Sequence, residues 1–270
     1  MKQLHAAPLA CRNCDSPLTG PFCSACGQAA HDGEPPRLTH FFHDLIHEVV
    51  HLDGKIVKTL KALFLQPGKL TEEYWAGRVV SWIRPIRLFL VMAAIHLLAA
   101  TGVGPLNFVA RLELADNGDH NVYIYNPAME DRLKPPSHPV PEAERLAWLD
   151  RFEKTYNTIR YTAVLLFALA SWLLYRRQQQ YFVAHLIEGL HFYSFWYIAA
   201  VVAGLLAKLH PMLTLIGITS VIYLFFMLRR LYHQRWYWTV SKTAALFFAT
   251  LMIEAILVAA AAGWVERAHS

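Results

Sequence analysis

Long apolar runs with few charged residues fill most of this 270-residue chain from residue 86 onward. Runs of about 20 apolar residues match the ~30 Å hydrocarbon core that a transmembrane helix crosses. Because lipid offers no hydrogen-bond partners to the backbone, such runs are expected to be helices. The pattern predicts an all-α integral membrane protein with about five transmembrane helices, at residues 86–104, 159–175, from between 183 and 190 to about 209, 212–228 and 243–264.

The placement of basic residues predicts the orientation of these spans. Residues 55–87 carry seven basic side chains against two acidic ones, whereas residues 105–158 carry six basic against nine acidic. Further basic residues follow the second span and fill the connection before the fifth: Arg176, Arg177, Arg229, Arg230, Arg235 and Lys242. Since Lys and Arg favour the cytoplasmic side, the N-terminus is predicted to be cytosolic and the C-terminus outside.

The predicted outer loop, residues 105–158, is the longest polar segment. Its proline-rich stretch, residues 134–141, is expected to be an extended spacer, because proline disrupts helix interiors. Residues 121–125 have the composition of a short strand, and residues 142–156 are expected to form a helix that leads into the second span.

All four cysteines lie near the N-terminus, in two Cys-x2-Cys pairs separated by eight residues: Cys11, Cys14, Cys23 and Cys26. This spacing is typical of a tetrahedral four-sulfur zinc site. Two disulfides or a redox Cys-x-x-Cys motif are the alternatives, and a reducing cytosol disfavours the disulfides. A closed four-thiolate site would make the zinc structural, because the folding of a small zinc ribbon depends on its metal.

Residues 38–52, between the cysteines and the first span, predict an amphipathic juxtamembrane helix. One of its faces gathers histidines and acids, and the other is apolar. Three histidines at four-residue spacing, His43, His47 and His51, are candidate ligands of a second metal. The alternative is a polar face that titrates near neutral pH. A second interfacial segment, residues 71–82, offers the aromatic anchors Tyr74, Trp75 and Trp82.

Several ionisable residues fall inside the predicted spans, where they are costly and usually face the interior of a helix bundle. They form a candidate intramembrane polar site: His96, His185, Glu188, His191 and Glu254. For Glu254, a protonated carboxyl bonded to a neighbouring helix and a proton or ion pathway are both open interpretations.

The order of motifs resembles a family of bacterial membrane proteins catalogued only as a domain of unknown function. The resemblance is carried by residues 22–28, followed by Asp53-Gly54, Thr59-Leu60, Pro67-Gly68, Tyr74, Gly77-Arg78 and Ile83-Arg84-Pro85, and more weakly by residues 185–195. Glu188 departs from a position that is usually apolar in that family. The resemblance implies a multi-pass inner-membrane protein with a cytosolic zinc ribbon, and it implies no activity.

The sequence thus predicts a zinc ribbon at residues 1–30, cytosolic interfacial helices at residues 31–85 and a five-span domain at residues 86–270. The expected partners are the lipid bilayer and a cytosolic protein that contacts the ribbon. The net charge of +5 lies beside the spans, which argues against nucleic acid. Transport of a small solute, proton or metal ion is an alternative function, and a membrane-embedded enzyme acting on lipid is a second. No catalytic residue is identified.

Overall fold

A computed structural model describes residues 10–30, 55–103, 109–114, 120–125, 141–207 and 216–267. In these ranges the chain is mainly helical and has one two-stranded antiparallel sheet. The elements are α1 (Lys55–Leu65), α2 (Lys69–Trp75), α3 (Pro85–Val103), β1 (Val109–Leu114), β2 (His120–Tyr125), α4 (Glu142–Ile159), α5 (Ala163–Tyr175), α6 (Phe182–Ala207), α7 (Ile216–Tyr232) and α8 (Trp236–Arg267).

Three helical segments are long and apolar enough to cross a membrane: Leu146–Tyr175, Phe182–Ala203 and Trp236–Arg267. The first combines α4 and α5 through a 3-10 turn at Arg160–Thr162. Helices α3 and α7, at the first and fourth predicted spans, have 19 and 17 residues. The chain is therefore a membrane protein with at least these three candidate spans.

Aromatic and polar contacts join the ends of α5 and α7 to the starts of α6 and α8 at one end of the bundle. The ring of Tyr175, which ends α5, stacks on that of Tyr232, which ends α7, with centroids 3.7 Å apart. The Tyr232 hydroxyl lies 3.1 Å from His185 Nδ1 at the start of α6. Lys242 Nζ, near the start of α8, lies 4.1 Å from the centroid of Tyr175. Consecutive helices α5 to α8 thus run in alternating directions.

Close contact between α5 and α6 depends on a glycine. A Cβ on Gly189 would lie 3.2 Å from both Phe167 Cδ1 and the Val164 carbonyl oxygen. Small residues let helix backbones approach closely, and in lipid this packing drives helix association. The buried rings of Phe167 and Phe192 stack next to this contact, with centroids 4.9 Å apart.

The opposite end of the bundle packs α4 against the end of α8. Trp148, 3% exposed, and Val265, 2% exposed, form a small separate core. Trp148 also stacks on Phe152, with centroids 5.1 Å apart. Helix α4 confirms the helix predicted at residues 142–156.

The two strands form a hairpin in the loop predicted to lie outside. Val109 pairs with Tyr125 and Leu114 pairs with His120 in an antiparallel register. Strand β2 confirms the strand predicted at residues 121–125. Strand β1 was not predicted, and the hairpin adds a small sheet to a fold expected to be all-α. The proline-rich spacer up to residue 140 lies outside the described residues.

Gly68 joins α1 to α2 at the Pro67-Gly68 break predicted from the sequence. Its φ of 81° lies in the left-handed region, which glycine adopts at little cost. A Cβ at this position would lie 3.0 Å from the Met227 carbonyl oxygen of α7. The turn therefore needs glycine for its backbone conformation and for its contact with α7.

We expect Gly68→Ala to destabilise the protein by roughly 1–3 kcal/mol, because alanine at this φ is strained and its Cβ meets the α7 backbone. Thermal or SDS-induced unfolding of purified protein measures the effect. Gly263→Ala is the matched control, since its Cβ would come no nearer than 3.8 Å to Arg267 Nη2. Equal stability of the two variants would contradict this account of the turn.

Candidate metal centre and buried polar clusters

The N-terminal ribbon, residues 10–30, consists of two similar turns related by a shift of twelve residues. In the first, Cys11 N–H donates to the Ser16 carbonyl, and in the second, Cys23 N–H donates to the Gln28 carbonyl, at 2.8 and 2.7 Å. The residue after the second cysteine of each pair has a positive φ, 57° at Asp15 and 74° at Gly27. Asp and Gly are among the residues that tolerate this conformation best. The two pairs are therefore held by the same backbone geometry.

These turns bring all four sulfur atoms together. The Cys11 and Cys26 Sγ atoms are 3.6 Å apart, as are those of Cys14 and Cys23. All four Sγ atoms lie within 4.8 Å of one another. A tetrahedral ion with sulfur at ~2.3 Å separates its ligands by roughly 3.8 Å. The four thiols fit such an ion, and within the described ranges this is the one cluster of three or more His, Cys, Asp or Glu that does.

The sulfur distances differ from those of disulfides. A disulfide joins sulfur atoms at about 2.05 Å, whereas the shortest pairs here are 3.6 Å apart and all four cysteines are free. The Cys14 thiol lies 3.4 Å from the Ser16 hydroxyl, and hydrogen bonding to Ser16 lowers the pKa of Cys14 to about 6. A thiolate is the form that ligates metal.

The ribbon is docked on the turn that follows α2. The Gln28 side-chain amide donates to the Gly77 carbonyl at 2.7 Å, and Val79 N–H donates to Gln28 Oε1 at 3.4 Å. Gln28 is 5% exposed, so its side of the contact is buried, whereas Gly77 and Val79 are half-buried. A Cβ on Gly77, whose φ is 79°, would lie 3.1 Å from Arg12 Cδ. Gly77 thus allows the ribbon to approach the turn closely.

An ion pair stabilises the same turn. Arg78 Nε and Nη2 donate to the two oxygens of Glu73 at 2.8 and 3.0 Å. The hydrogen bonds from Arg78 lower the pKa of Glu73. A lowered carboxyl pKa gives stabilisation that is present at neutral pH and is lost as acid protonates the group. Because the pair is partly exposed, its contribution to stability is expected to be small.

Helix α2 connects this turn to the membrane bundle through polar contacts, of which the Thr71–His191 contact is buried. Thr71 Oγ1, on a fully buried side chain, lies 2.9 Å from His191 Nδ1 in α6. Trp75 Nε1 donates to the Ala184 carbonyl at 3.2 Å, also in α6. Glu72 pairs with Arg230 of α7 at 3.3 Å. The ribbon, α2 and the ends of α6 and α7 are therefore in continuous contact.

A second group of polar residues lies buried at the same end of the bundle. Glu188 Oε2 accepts hydrogen bonds from Ser171 Oγ at 3.0 Å and from the Tyr232 hydroxyl at 2.7 Å. His185 Nδ1 lies 2.9 Å from Ser171 Oγ and 3.4 Å from Glu188 Oε2. Ser171, His185 and Glu188 are fully buried. This Ser171–His185–Glu188–Tyr232 cluster joins α5, α6 and α7.

A third group lies further along α6. The Tyr156 hydroxyl donates to Glu254 Oε2 at 2.8 Å, which joins α4 to α8. The Arg160 guanidinium carbon lies 5.1 Å from the ring centroid of Tyr156 and 5.4 Å from that of Tyr197. The His96 ring packs on Tyr197 with centroids 5.0 Å apart. This arrangement is a cation–π and hydrogen-bonded network between helices.

The five predicted intramembrane residues therefore divide among three places. His185 and Glu188 share one cluster, His191 contacts Thr71 of α2, and His96 and Glu254 belong to the third group. Along α6, Glu188 and Tyr197 are separated by roughly 13 Å at 1.5 Å per residue. Glu254 is bonded to a neighbouring helix through Tyr156, which donates to it, while its predicted protonation and the alternative of a proton or ion pathway stay predictions.

Sequence reasoning missed the residues that complete these sites. Ser171, Tyr232, Thr71 and Tyr156 are ordinary polar positions in apolar or amphipathic segments, and their partners are distant in sequence. The twelve-residue repeat of the ribbon is visible in the sequence, because the second cysteine of each pair is followed by a residue that tolerates a positive φ, Asp15 or Gly27. The predicted helix at residues 38–52, with His43, His47 and His51, lies outside the described residues.

Taken together, the fold and the ribbon define a mainly helical membrane protein with a four-cysteine candidate metal site. Residues 53–97 match the model of a family described as "Protein of unknown function (DUF3667)". The match contains the motifs from Asp53-Gly54 to Ile83-Arg84-Pro85, and the ribbon precedes it. No curated protein and no solved structure matches the chain.

Metal analysis of the purified full-length protein tests the ribbon site. We expect one tightly bound metal ion per chain, and we expect the Cys11→Ser/Cys26→Ser variant to lose it because two of its four ligands are gone. Ser24→Ala is the matched control, since Ser24 is exposed and lies between Cys23 and Cys26. Full metal content in the cysteine variant, or none in the wild type, would contradict the assignment.

Proposed function

We propose that this chain is a five-span protein of the bacterial inner membrane, in which a cytosolic zinc ribbon mediates contact with a partner protein or assembly. The observation that carries the proposal is the contact between the ribbon and the α2 turn, made by Gln28 with Gly77 and Val79. Because this contact fixes the ribbon at the end of the bundle, the ribbon presents a defined surface there.

The alternating helix directions support five spans. The ends of α5 and α7 and the starts of α6 and α8 lie together, as five consecutive crossings require. Arg230 and Lys242 lie at this same end, next to α2 and α5 respectively. The accumulation of basic residues favours the cytosolic side for this end, and hence for the ribbon.

The chemistry of the ligands supports zinc. Four thiolates with tetrahedral spacing are typical of structural zinc sites, and they leave no open position for catalysis. A cytosolic ribbon would also be kept reduced. A domain of about twenty residues buries too little apolar surface to fold alone, so its folding would depend on the metal.

An exposed aromatic side chain marks the face of the ribbon available to a partner. Phe22 is 63% exposed and immediately precedes Cys23, on the strand-like bridge that pairs Phe22 with Ala29. Aromatic side chains are enriched in protein interfaces. Transport through the spans has less support, because the five intramembrane polar residues lie in three separate groups.

Reporter fusions test the proposed topology. A periplasm-dependent phosphatase fused after Ser270 should be active, and one fused after Gln179 should be inactive. A fluorescent protein that folds only in the cytosol should give the reverse pattern at the same two positions. Phosphatase activity after Gln179 would overturn the orientation, and equal behaviour at both positions would overturn the span count.

Photo-cross-linking from the ribbon tests the proposed contact. A photoreactive amino acid at Phe22, in the full-length membrane-inserted protein, should give a discrete protein adduct. The adduct should be several-fold weaker in the Cys11→Ser/Cys26→Ser background and at the exposed control position Thr19. An adduct with a second copy would indicate assembly, whereas an adduct with another protein would indicate partner contact. Cross-linking to lipid alone would contradict the proposal.

A further inference from the structure

The Ser171–His185–Glu188–Tyr232 cluster carries an imidazole and a carboxyl group, neither of which is used by the metal centre. Tyr232 is 9% exposed and the other three side chains are fully buried. The two hydroxyls lie between the carboxylate and the imidazole: Ser171 Oγ is 2.9 Å from His185 Nδ1 and 3.0 Å from Glu188 Oε2. The corresponding distances for the Tyr232 hydroxyl are 3.1 and 2.7 Å. The hydrogen bonds among these four groups therefore depend on how many hydrogens the groups share.

The tautomer of His185 is fixed by its second ring nitrogen. Nε2 lies 2.9 Å from the Gln179 carbonyl oxygen. A carbonyl oxygen only accepts hydrogen bonds, so Nε2 carries a hydrogen. His185 is therefore either the neutral Nε2–H tautomer, with Nδ1 as an acceptor, or the imidazolium, with Nδ1 as a donor. Its protonation is decided at Nδ1, next to Glu188.

If His185 is neutral and Glu188 is ionised, the two hydroxyls supply two hydrogens, one for Nδ1 and one for Oε2. The cluster then keeps a net negative charge. Glu188 Oε1 is buried and has no hydrogen-bond partner among the described residues. A buried carboxylate with such sparse solvation is strongly disfavoured.

One additional proton removes this charge. If it resides on His185, Nδ1 donates to a hydroxyl oxygen or to Glu188, and both hydroxyls donate to Oε2. If it resides on Glu188 Oε2, that oxygen donates to one hydroxyl, and a hydroxyl donates to Nδ1. Both arrangements are neutral and satisfy the hydrogen bonds of the facing atoms. A second additional proton would leave an unpaired positive charge in the same interior.

The charged groups around the cluster do not change the number of protons that the cluster is expected to hold. Tyr175 of α5 stacks on Tyr232, and Lys242 of α8 lies over the far side of this aromatic pair, 4.1 Å from the Tyr175 centroid. From α2, Trp75 meets the Tyr232 ring edge-on, with centroids 5.7 Å apart. Lys242 is partly exposed and its ammonium lies over the Tyr175 ring, so the balance of protons is set by His185 and Glu188.

We propose that His185 and Glu188 form a proton-binding site that holds one proton between Nδ1 and Oε2 at neutral pH and thereby joins α5, α6 and α7. The site is closed to solvent, so exchange of the proton requires these helices to separate locally. The geometry is not that of a hydrolase triad. In such a triad the hydroxyl and the acid contact different ring nitrogens, whereas here both face Nδ1.

Solid-state NMR of the wild-type protein in lipid nanodiscs tests the proton count directly. With 15N-labelled histidine and 13C-labelled glutamate, we expect at neutral pH either an imidazolium at His185 with an ionised Glu188, or a neutral His185 with a protonated Glu188. His185→Gln and Glu188→Gln assign the two signals, and Glu254→Gln is the control that should leave both in place. A neutral His185 beside an ionised Glu188, or protonation of both, would overturn the proposal.

The pH dependence of unfolding gives a second test. In the unfolded chain, a histidine is largely neutral above about pH 7 and a glutamate is ionised, so the folded wild type holds one more proton. Its unfolding constant should therefore rise with pH above about pH 7 more steeply than that of Glu188→Gln, which has no carboxyl group to share the proton.

The control in this second test is Ser194→Ala, which changes a buried hydroxyl of α6 bonded to the Leu190 carbonyl. It should retain the wild-type slope. Parallel slopes in the wild type and Glu188→Gln would contradict the proposal. If Glu188→Gln does not fold, the NMR measurement on the wild type still decides it.

Discussion

The hydrogen bond between Thr71 and His191 fixes the position of α2 on the membrane bundle, and the arrangement of this end of the bundle follows from it. Both side chains are almost completely buried, at 0% and 2% exposure. A buried histidine that lost this partner would leave an unsatisfied nitrogen, at a cost of about 1–3 kcal/mol. Because α2 is only seven residues long, this bond, the burial of Leu70 and the hydrogen bond from Trp75 to the Ala184 carbonyl determine where the helix lies. The turn at Gly77 then presents its carbonyl oxygen to the ribbon.

The ribbon and the bundle stabilise each other by different means. The bundle has an apolar core and close contacts such as Gly189 against Val164. The ribbon has almost no core, so we expect its order to depend on a metal held by the four cysteines. Gln28 connects the two, because it closes the second cysteine turn through its backbone and contacts Gly77 and Val79 through its side chain. Loss of the metal should therefore affect the α2 turn.

The sequence contained the features that depend on local spacing or composition. The cysteine pairs predicted the sulfur cluster, the Pro67-Gly68 break predicted the end of α1, and the apolar runs predicted the membrane helices. Long-range pairing was not predictable, because nothing near Ser171 or Tyr232 indicates that they meet at Glu188. For the same reason, the sequence did not predict that His191 and Glu188 contact different helices. The two residues are three positions apart and therefore only about 60° apart around the helix, yet α2 covers His191, whereas α5 and α7 cover Glu188.

Hydrogen–deuterium exchange of the full-length protein in nanodiscs, with and without a metal chelator, tests the central claim that the metal-bound ribbon is anchored on the α2 turn. The account predicts that chelation accelerates exchange in the ribbon and also at Gly77, Arg78 and Val79, because Val79 N–H loses its bond to Gln28 Oε1. The buried part of α8 around Leu246 should be unchanged. Faster exchange confined to the ribbon, with the α2 turn as protected as before, would contradict the claim.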